Sequence, residues 1–488
     1  MQSKFNELRE KLPIFTYEKF EIEDLGDKLA VTYFFDLNDS VIFTPKWEFL
    51  KKHKNINYEQ EETVRKLVFN LGLVELISYW KCACPPLVRI KAGVIDEEQI
   101  DWWKMQYYLG LGEFFYTNGI DTSIEDFMKI EVVKDENEFK DENEYKETIS
   151  GTPIEKNAEN SVTDRSSSDT FRTDFEKSGS LIPVGGGKDS IVTLELLSDR
   201  KEDNLCYMIN NKEASQKCAE IAGYTEDEVL IVKRSLDQQL LALNKEGYLN
   251  GHTPFSAIVA FSSVLTAYLF DKRYVVLSNE SSANESTVEG TMVNHQYSKS
   301  FKFESDFTEY ESSYINCGVH YFSLLRPFSE LQIAKHFSLH EKYYNIFRSC
   351  NVGSKIDKWC GHCPKCLFVY IILSPFLRLE RLKEIFGSDM LNDESMIPTF
   401  DKLIGIVPEK PFECVGTCDE ANTAVCMTIQ RLKAKQQELP KLYAYYKSKG
   451  LYQTYSNIKE NPYMNYYNEE NQVPEEFIQR LKKQMLGE

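Results

Sequence analysis

The alternation of apolar and polar positions divides this chain into stretches of different character. Near the N-terminus, Phe20–Ile22, Leu29–Phe35 and Ser40–Thr44 are short apolar-rich runs bounded by turn residues, which predicts strands. From Glu59 to Trp80 the spacing changes. Val64, Leu67, Val68, Leu71, Val74, Leu76 and Ile77 fall mostly on one helical face, and the proline pair Pro85–Pro86 closes the segment. A second helix, Glu97–Tyr116, carries Trp102, Trp103, Tyr107 and Tyr108, which read as core packing. Together these stretches predict an N-terminal α+β domain over residues 1–133. Residues 134–178, dense in charge and in Ser, Thr and Asp, bury too little apolar surface to offset chain entropy and read as a disordered linker.

From residue 179 strand-like and helix-like runs alternate. Leu181–Val184, Leu205–Ile209, Val229–Val232 and Tyr274–Ser278 are predicted strands. Helical patterns begin at Ser190 and cover Ala214–Ala222 and Pro254–Phe270. Strands separated by helices imply βαβ crossovers and a parallel sheet covered on both faces, here an α/β domain over 179–348. Residues 349–488 read as a mainly helical C-terminal region that begins with a cysteine cluster.

Ligands of such sheets sit off the C-terminal ends of the strands, so two loops matter. The first follows Val184 and reads Gly185, Gly186, Gly187, Lys188, Asp189, Ser190. Glycines let the backbone turn sharply and approach a ligand, and the positive end of the following helix favours an anion. Lys188 offers a point charge for phosphate, and Asp189 suits Mg²⁺ held between phosphates. The glycine spacing matches neither the GxxxxGK[ST] phosphate loop nor the dinucleotide GxGxxG. A glycine turn without a ligand would have the same local look. The second loop, Ser278–Glu304, is long and polar, with Asn279, Glu280, Glu285, His295 and Lys299 available to fix a polar substrate or metal-bound phosphates. Arg326, just before a helix that starts near Ser329, could hold a carboxylate or phosphate bidentately.

Cys350-x9-Cys360-x2-Cys363-x2-Cys366 places four thiols in a short span, which suits tetrahedral Zn²⁺. Four cysteine ligands leave no open position, so the zinc is expected to be structural. Cys82, Cys84, Cys414 and Cys418 have no second pair to complete a site and read as ordinary thiols.

Net charge is −19, which argues against nucleic acid or an anionic membrane as general partners. The longest apolar run, Leu367–Leu377, is too short to span a bilayer, and the first residues lack an apolar leader core. With twelve cysteines that do not read as a disulfide framework, a reduced, cytoplasmic protein is expected. No protein partner can be inferred.

The glycine loop resembles the SGGxDS loop of the PP-loop ATP-pyrophosphatases, except that Gly185 stands where that superfamily usually has Ser. The downstream cysteine knot is similar to that of its 7-cyano-7-deazaguanine synthase branch. In their shared order, SYWKCACPP, PVGGGKDS, LSNESSANE, VNHQYSKSFKFE, WCGHCPKC and KPFECVGT resemble the UDP-N-acetylmuramoyl-L-alanyl-L-glutamate epimerase (MurL) family over roughly residues 60–420.

That resemblance implies a PP-loop (adenine nucleotide alpha-hydrolase-like) sheet domain, with ATP and Mg²⁺ acting on a UDP-muramoyl dipeptide in peptidoglycan precursor synthesis. The terminal L-Glu would become D-Glu through an acyl-adenylate, releasing AMP and pyrophosphate. Neutralising the α-carboxylate as an acyl group makes the neighbouring Cα–H acidic enough for a side-chain base. Inversion needs groups on both faces of Cα, and the candidates are His295 and His252, with Glu280 or Glu285 as substitutes. Two other readings compete: a ligase or nitrile-forming enzyme of the deazaguanine type, and a nucleotide-binding regulator without catalysis.

Overall fold

The computed structural model describes residues 1–133, 175–210, 212–353, 356–456 and 461–487. The expected linker lies almost wholly outside the described residues. Among the described residues, eleven strands form one mixed sheet: β1 (Ile14–Asp24), β2 (Lys28–Leu37), β3 (Val41–Phe43), β4 (Lys46–Leu50), β5 (Leu87–Ile90), β6 (Lys129–Val132), β7 (Ser180–Pro183), β8 (Leu205–Ile209), β9 (Val229–Ser235), β10 (Tyr274–Leu277) and β11 (His320–Ser323). Their spatial order is β11-β10-β7-β8-β9-β4-β2-β1-β5-β6, with β3 paired to β2.

The strands β11 to β9 in this order are all parallel. They are short and apolar because both faces are covered. Successive residues alternate between two cores. Leu181, Tyr207, Val275 and Tyr321 join the core shared with the N-terminal segment and the helix Phe255–Leu269. Ile182, Cys206, Val276 and Phe322 join the core made with the helices Lys188–Leu196, Glu330–Phe337 and Pro364–Leu373.

The sheet does not stop at β9. β4 pairs with it antiparallel, with Trp47 opposite Arg234, so the N-terminal strands extend the parallel half. Arg234 crosses this joint to hold Glu75 of the helix Glu62–Trp80 in a bidentate pair, 2.9 and 2.7 Å. Glu75 is fully buried, so the planar guanidinium fork compensates a charge that burial alone would penalise. The helical spacing read over Glu59–Trp80 is observed as Glu62–Trp80. The stretch Glu97–Tyr116 is divided into Glu97–Gly110 and Gly112–Thr117. Its aromatics pack inward as expected: Trp103 is buried, and Trp102 stacks on Tyr310 at 4.2 Å.

No described helix is long and apolar enough to cross a membrane.

Candidate active site

In the parallel half, the chain runs from β7 outward through β8 and β9, then returns to the other side of β7 for β10 and β11. The strand order therefore reverses between β7 and β10, and a crevice opens where their following loops diverge. A cavity of about 660 Å³ lies there, bordered by Gly185, Gly187, Asp189 and Ser190 after β7 and by Ser278, Asn279 and Lys299 after β10. Lys212, Arg348, Ser349, Asn351, Lys365, Glu413 and Cys414 are also in its wall. Four cations border this cavity, and with them four carboxylates, Asp189, Glu213, Asp357 and Glu413.

The three glycines are not equivalent. Gly186 has φ +80°, and a Cβ there would come within 3.0 Å of the Ser215 backbone nitrogen, so the turn requires glycine. A Cβ on Gly187 would press on Ser349 at 3.2 Å. Gly185 faces open space. The helix Lys188–Leu196 starts at Gly187 with no side-chain cap among the described residues.

Lys188 does not border the cavity. Its Nζ is buried between Asp189 and Glu330. Burial disfavours its charge, but the two carboxylates hold its pKa above the usual lysine value. Burial likewise works to raise the Asp189 pKa, yet Lys188, Lys365 and Lys299 pull it below the ordinary carboxylate value. Burial pushes Glu330 up to about 7 despite Lys188. Glu420, whose Oε1 accepts from the Glu330 backbone N–H at 2.7 Å, is pushed up to about 8 by burial and by Glu280 and Glu330.

The two histidines chosen from sequence come together. His295 Nδ1 is 2.5 Å and His252 Nδ1 is 3.1 Å from the same oxygen of Glu113, and the ring centroids are 4.8 Å apart. Burial lowers His252 to about 4, against the pull of Glu113. Burial also works to lower His295, but hydrogen bonds to Cys414 and Glu113 raise it to about 9. Lys299 Nζ stands 3.1 Å from Cys414 Sγ. Burial would raise the Cys414 thiol, but Lys299, His295 and Lys365 bring it down to about 5.

Sequence reasoning missed Glu113 and read Cys414 as an ordinary thiol. The fold brings Cys414, with Lys299, to the cavity wall. Its companion Cys418 begins the helix Cys418–Ala434, and burial raises it to about 11.

Other candidates have protein partners. Glu280 caps the turn Ser281–Asn284 through the Ser282 backbone N–H and accepts from Ser282 Oγ at 2.8 Å. Glu285 pairs with Lys410 at 2.5 Å. Asn279 borders the cavity and donates to Ser323 Oγ at 3.1 Å. Arg326 is buried. It donates to the carbonyls of Glu280 and Lys299 at 2.6 and 2.5 Å and pairs with Glu304 at 3.0 Å, so it ties the β10 loop to the segment carrying Lys299.

The four cysteines converge. Sγ separations are 3.7 Å for Cys350–Cys363, 3.6 Å for Cys360–Cys366 and 3.4 Å for Cys363–Cys366. Sulfurs around tetrahedral zinc stand roughly 3.8 Å apart, given Zn–S bonds near 2.3 Å. Backbone N–H groups of Gly353, Cys363 and Cys366 donate to the sulfurs of Cys350, Cys360 and Cys363. The donor set and spacing could hold a metal ion and are compatible with structural zinc. The cluster adjoins the cavity. Cys350 is in its wall, and Lys365, between two of the cysteines, donates to the Cys414 carbonyl.

No solved structure matches this chain. Among curated proteins, the UDP-N-acetyl-alpha-D-muramoyl-L-alanyl-L-glutamate epimerase of Xanthomonas oryzae pv. oryzae (strain MAFF 311018) is 34% identical over 379 residues, 76% of each chain. Proteins of the same name from Micromonospora sp. and Salinispora tropica are each 38% identical over about half of this chain, covering 57% and 55% of their own lengths. The MurL N-terminal domain matches residues 6–324 and the MurL C-terminal domain residues 346–449. Together they span the glycine loop, the Glu113–His252–His295 cluster, the cysteine knot and Cys414, and the chain belongs to the MurL family.

Proposed function

We propose that this chain is an epimerase that inverts the terminal L-Glu of UDP-MurNAc-L-Ala-L-Glu, using ATP to adenylate its α-carboxylate and releasing AMP and pyrophosphate. The observation that carries the reading is that one cavity is bordered both by the glycine loop and by the Cys414–Lys299 pair. The first element suits phosphates and the second suits proton chemistry. The names of the curated relatives supply the substrate.

The parallel half is read as a PP-loop nucleotide-binding sheet and the cysteine knot as structural zinc. The protein is taken to work in the cytoplasm, where nucleotide-linked precursors of the wall are made. Domain limits are read at 1–133, 179–348 and 349–488, with 134–178 as linker.

The triphosphate would lie along the loop N–H groups at Gly185–Ser190, with Lys212, Lys299, Arg348 and Lys365 balancing its charge. Asp189, kept ionised by its lysine neighbours, would hold Mg²⁺, whose charge would offset that of the pyrophosphate. Lys188 acts from behind by fixing Asp189. An ionised α-carboxylate opposes carbanion formation beside it, and the acyl-adenylate removes that obstacle. Water then cleaves the mixed anhydride and restores the acid.

Incubation with ATP, Mg²⁺ and the UDP-muramoyl dipeptide tests this. Pyrophosphate and D-Glu should appear together, each dependent on the other substrate. Pyrophosphate without change of configuration would remove the epimerase reading.

A further inference from the structure

Resting on the epimerase reading, we propose that Cys414 is the catalytic residue that exchanges the Cα proton on one face of the glutamyl residue, with His295 as its positioning partner. Of the groups capable of proton transfer, the four chosen from sequence are placed elsewhere. His252 and His295 converge on Glu113 behind the cavity wall, Glu280 caps a turn, and Glu285 pairs with Lys410. Cys414 is in the wall itself.

Its sulfur has a built environment. Lys299 Nζ stands 3.1 Å away, and Lys299 also borders the cavity. Glu113 holds the His295 ring through Nδ1 at 2.5 Å, and the charge of that ring bears on the sulfur. Lys365 fixes the backbone by donating to the Cys414 carbonyl. Two cations against one half-buried sulfur favour the thiolate, the form of cysteine that accepts protons. The Cys414 thiol is accordingly held near 5 and His295 near 9.

In the step, the thiolate takes the Cα hydrogen and an S–H bond forms. The C–H electron pair moves into the adenylated carbonyl, giving an enolate that Lys299 is placed to stabilise. A water molecule on the opposite face donates the proton that re-forms the Cα–H bond with inverted configuration, and the Cys414 S–H gives its proton to the resulting hydroxide through solvent, which restores the thiolate. From the D-epimer the thiol of Cys414 is the donor. No oxidant or further co-reactant is required.

The full-length protein and its Cys414→Ser and Cys414→Ala variants are compared in D₂O with ATP, Mg²⁺ and the UDP-muramoyl dipeptide. Wild type should invert the substrate with one deuterium at Cα. The variants should still adenylate, releasing pyrophosphate, while Cα exchange falls about 100-fold or more, as loss of a positioned acid–base group produces. His295→Gln should slow alkylation of Cys414 by iodoacetamide at pH 7 about tenfold, since fewer thiolates remain; a purely structural histidine would leave that rate alone. Unchanged exchange in both Cys414 variants overturns the proposal. So does equal loss of pyrophosphate release and exchange in a folded variant, or a substrate thioester on wild-type Cys414 seen by intact mass. Should the variants not fold, alkylated wild type takes their place: continued exchange after complete modification of Cys414 sinks the assignment. Absence of pyrophosphate from wild type would instead mark failure of the underlying epimerase reading.

Discussion

Glu113 Oε2 lies 2.5 Å from His295 Nδ1, and the two residues are 182 positions apart in the chain. A helix of the N-terminal segment thus supplies the carboxylate that orients a histidine of the β10 loop. Glu113→Gln removes one of the two groups, Cys414 being the other, that raise His295 against burial, so its pKa should fall. With less positive charge beside it, the Cys414 thiol should rise. Epimerisation should drop by about 10- to 100-fold, the range seen when an orienting partner of a functional histidine is lost. Pyrophosphate release should change less. NMR titration of His295 checks the shift, and the two rates check the split.

Gly185 and Gly186 should respond oppositely to substitution. Gly186→Ala places a Cβ in a left-handed backbone conformation and 3.0 Å from the Ser215 nitrogen. A loss of about 1–2 kcal/mol is expected from the backbone alone, with weaker ATP binding as the loop shifts. Gly185→Ser has open space and should fold with an unchanged melting temperature. Thermal unfolding and nucleotide titration of both variants make the comparison.

Lys188 is a stability residue as much as a functional one. Lys188→Met leaves Glu330 and Asp189 without their shared cation and should cost about 3–5 kcal/mol. Adding Glu330→Gln removes one of the two carboxylates left without the lysine and should recover part of that loss. Denaturant unfolding of the single and double variants measures the coupling. Equal stability of the two would show that the pair is not coupled.

Metal analysis should find one zinc per chain, lost in Cys366→Ser. Structural zinc contributes roughly 10–16 kcal/mol in small folded sites, so its removal by a chelator should lower the melting temperature sharply. The cavity wall should loosen with it, because Lys365 is threaded between two of the ligands and holds the Cys414 carbonyl. Faster proteolysis near residues 350–366 would report that loosening.

Much of the parallel half was legible because its signals are local. The glycine run, the apolar strands around it and the closely spaced cysteines each announce themselves within a few residues. β4, β5, β6 and β11 were not anticipated: each has four or five residues in which polar side chains break the apolar run, whereas β7 and β10, as short, sit in continuous apolar runs. β1 runs from Ile14 to Asp24, much longer than Phe20–Ile22: its first half buries the consecutive residues Phe15, Thr16 and Tyr17 and so lacks the alternation that marks the second half. Glu113 and Cys414 were missed for a different reason. Glu113 sits in an aromatic helix with nothing nearby to mark it, and Cys414 meets Lys299 across 115 residues of sequence. Lys188 looked like a phosphate ligand because only the fold reveals Glu330 beside it.

The antiparallel pairing of β4 on β9 has a practical meaning for anyone cutting the gene. A fragment starting near residue 175 would keep the glycine loop and the cysteine knot but leave β9 as an open template for foreign strands. Such a fragment should aggregate on expression, and refolding it would not restore catalysis, since the carboxylate behind His295 would have gone with the missing piece.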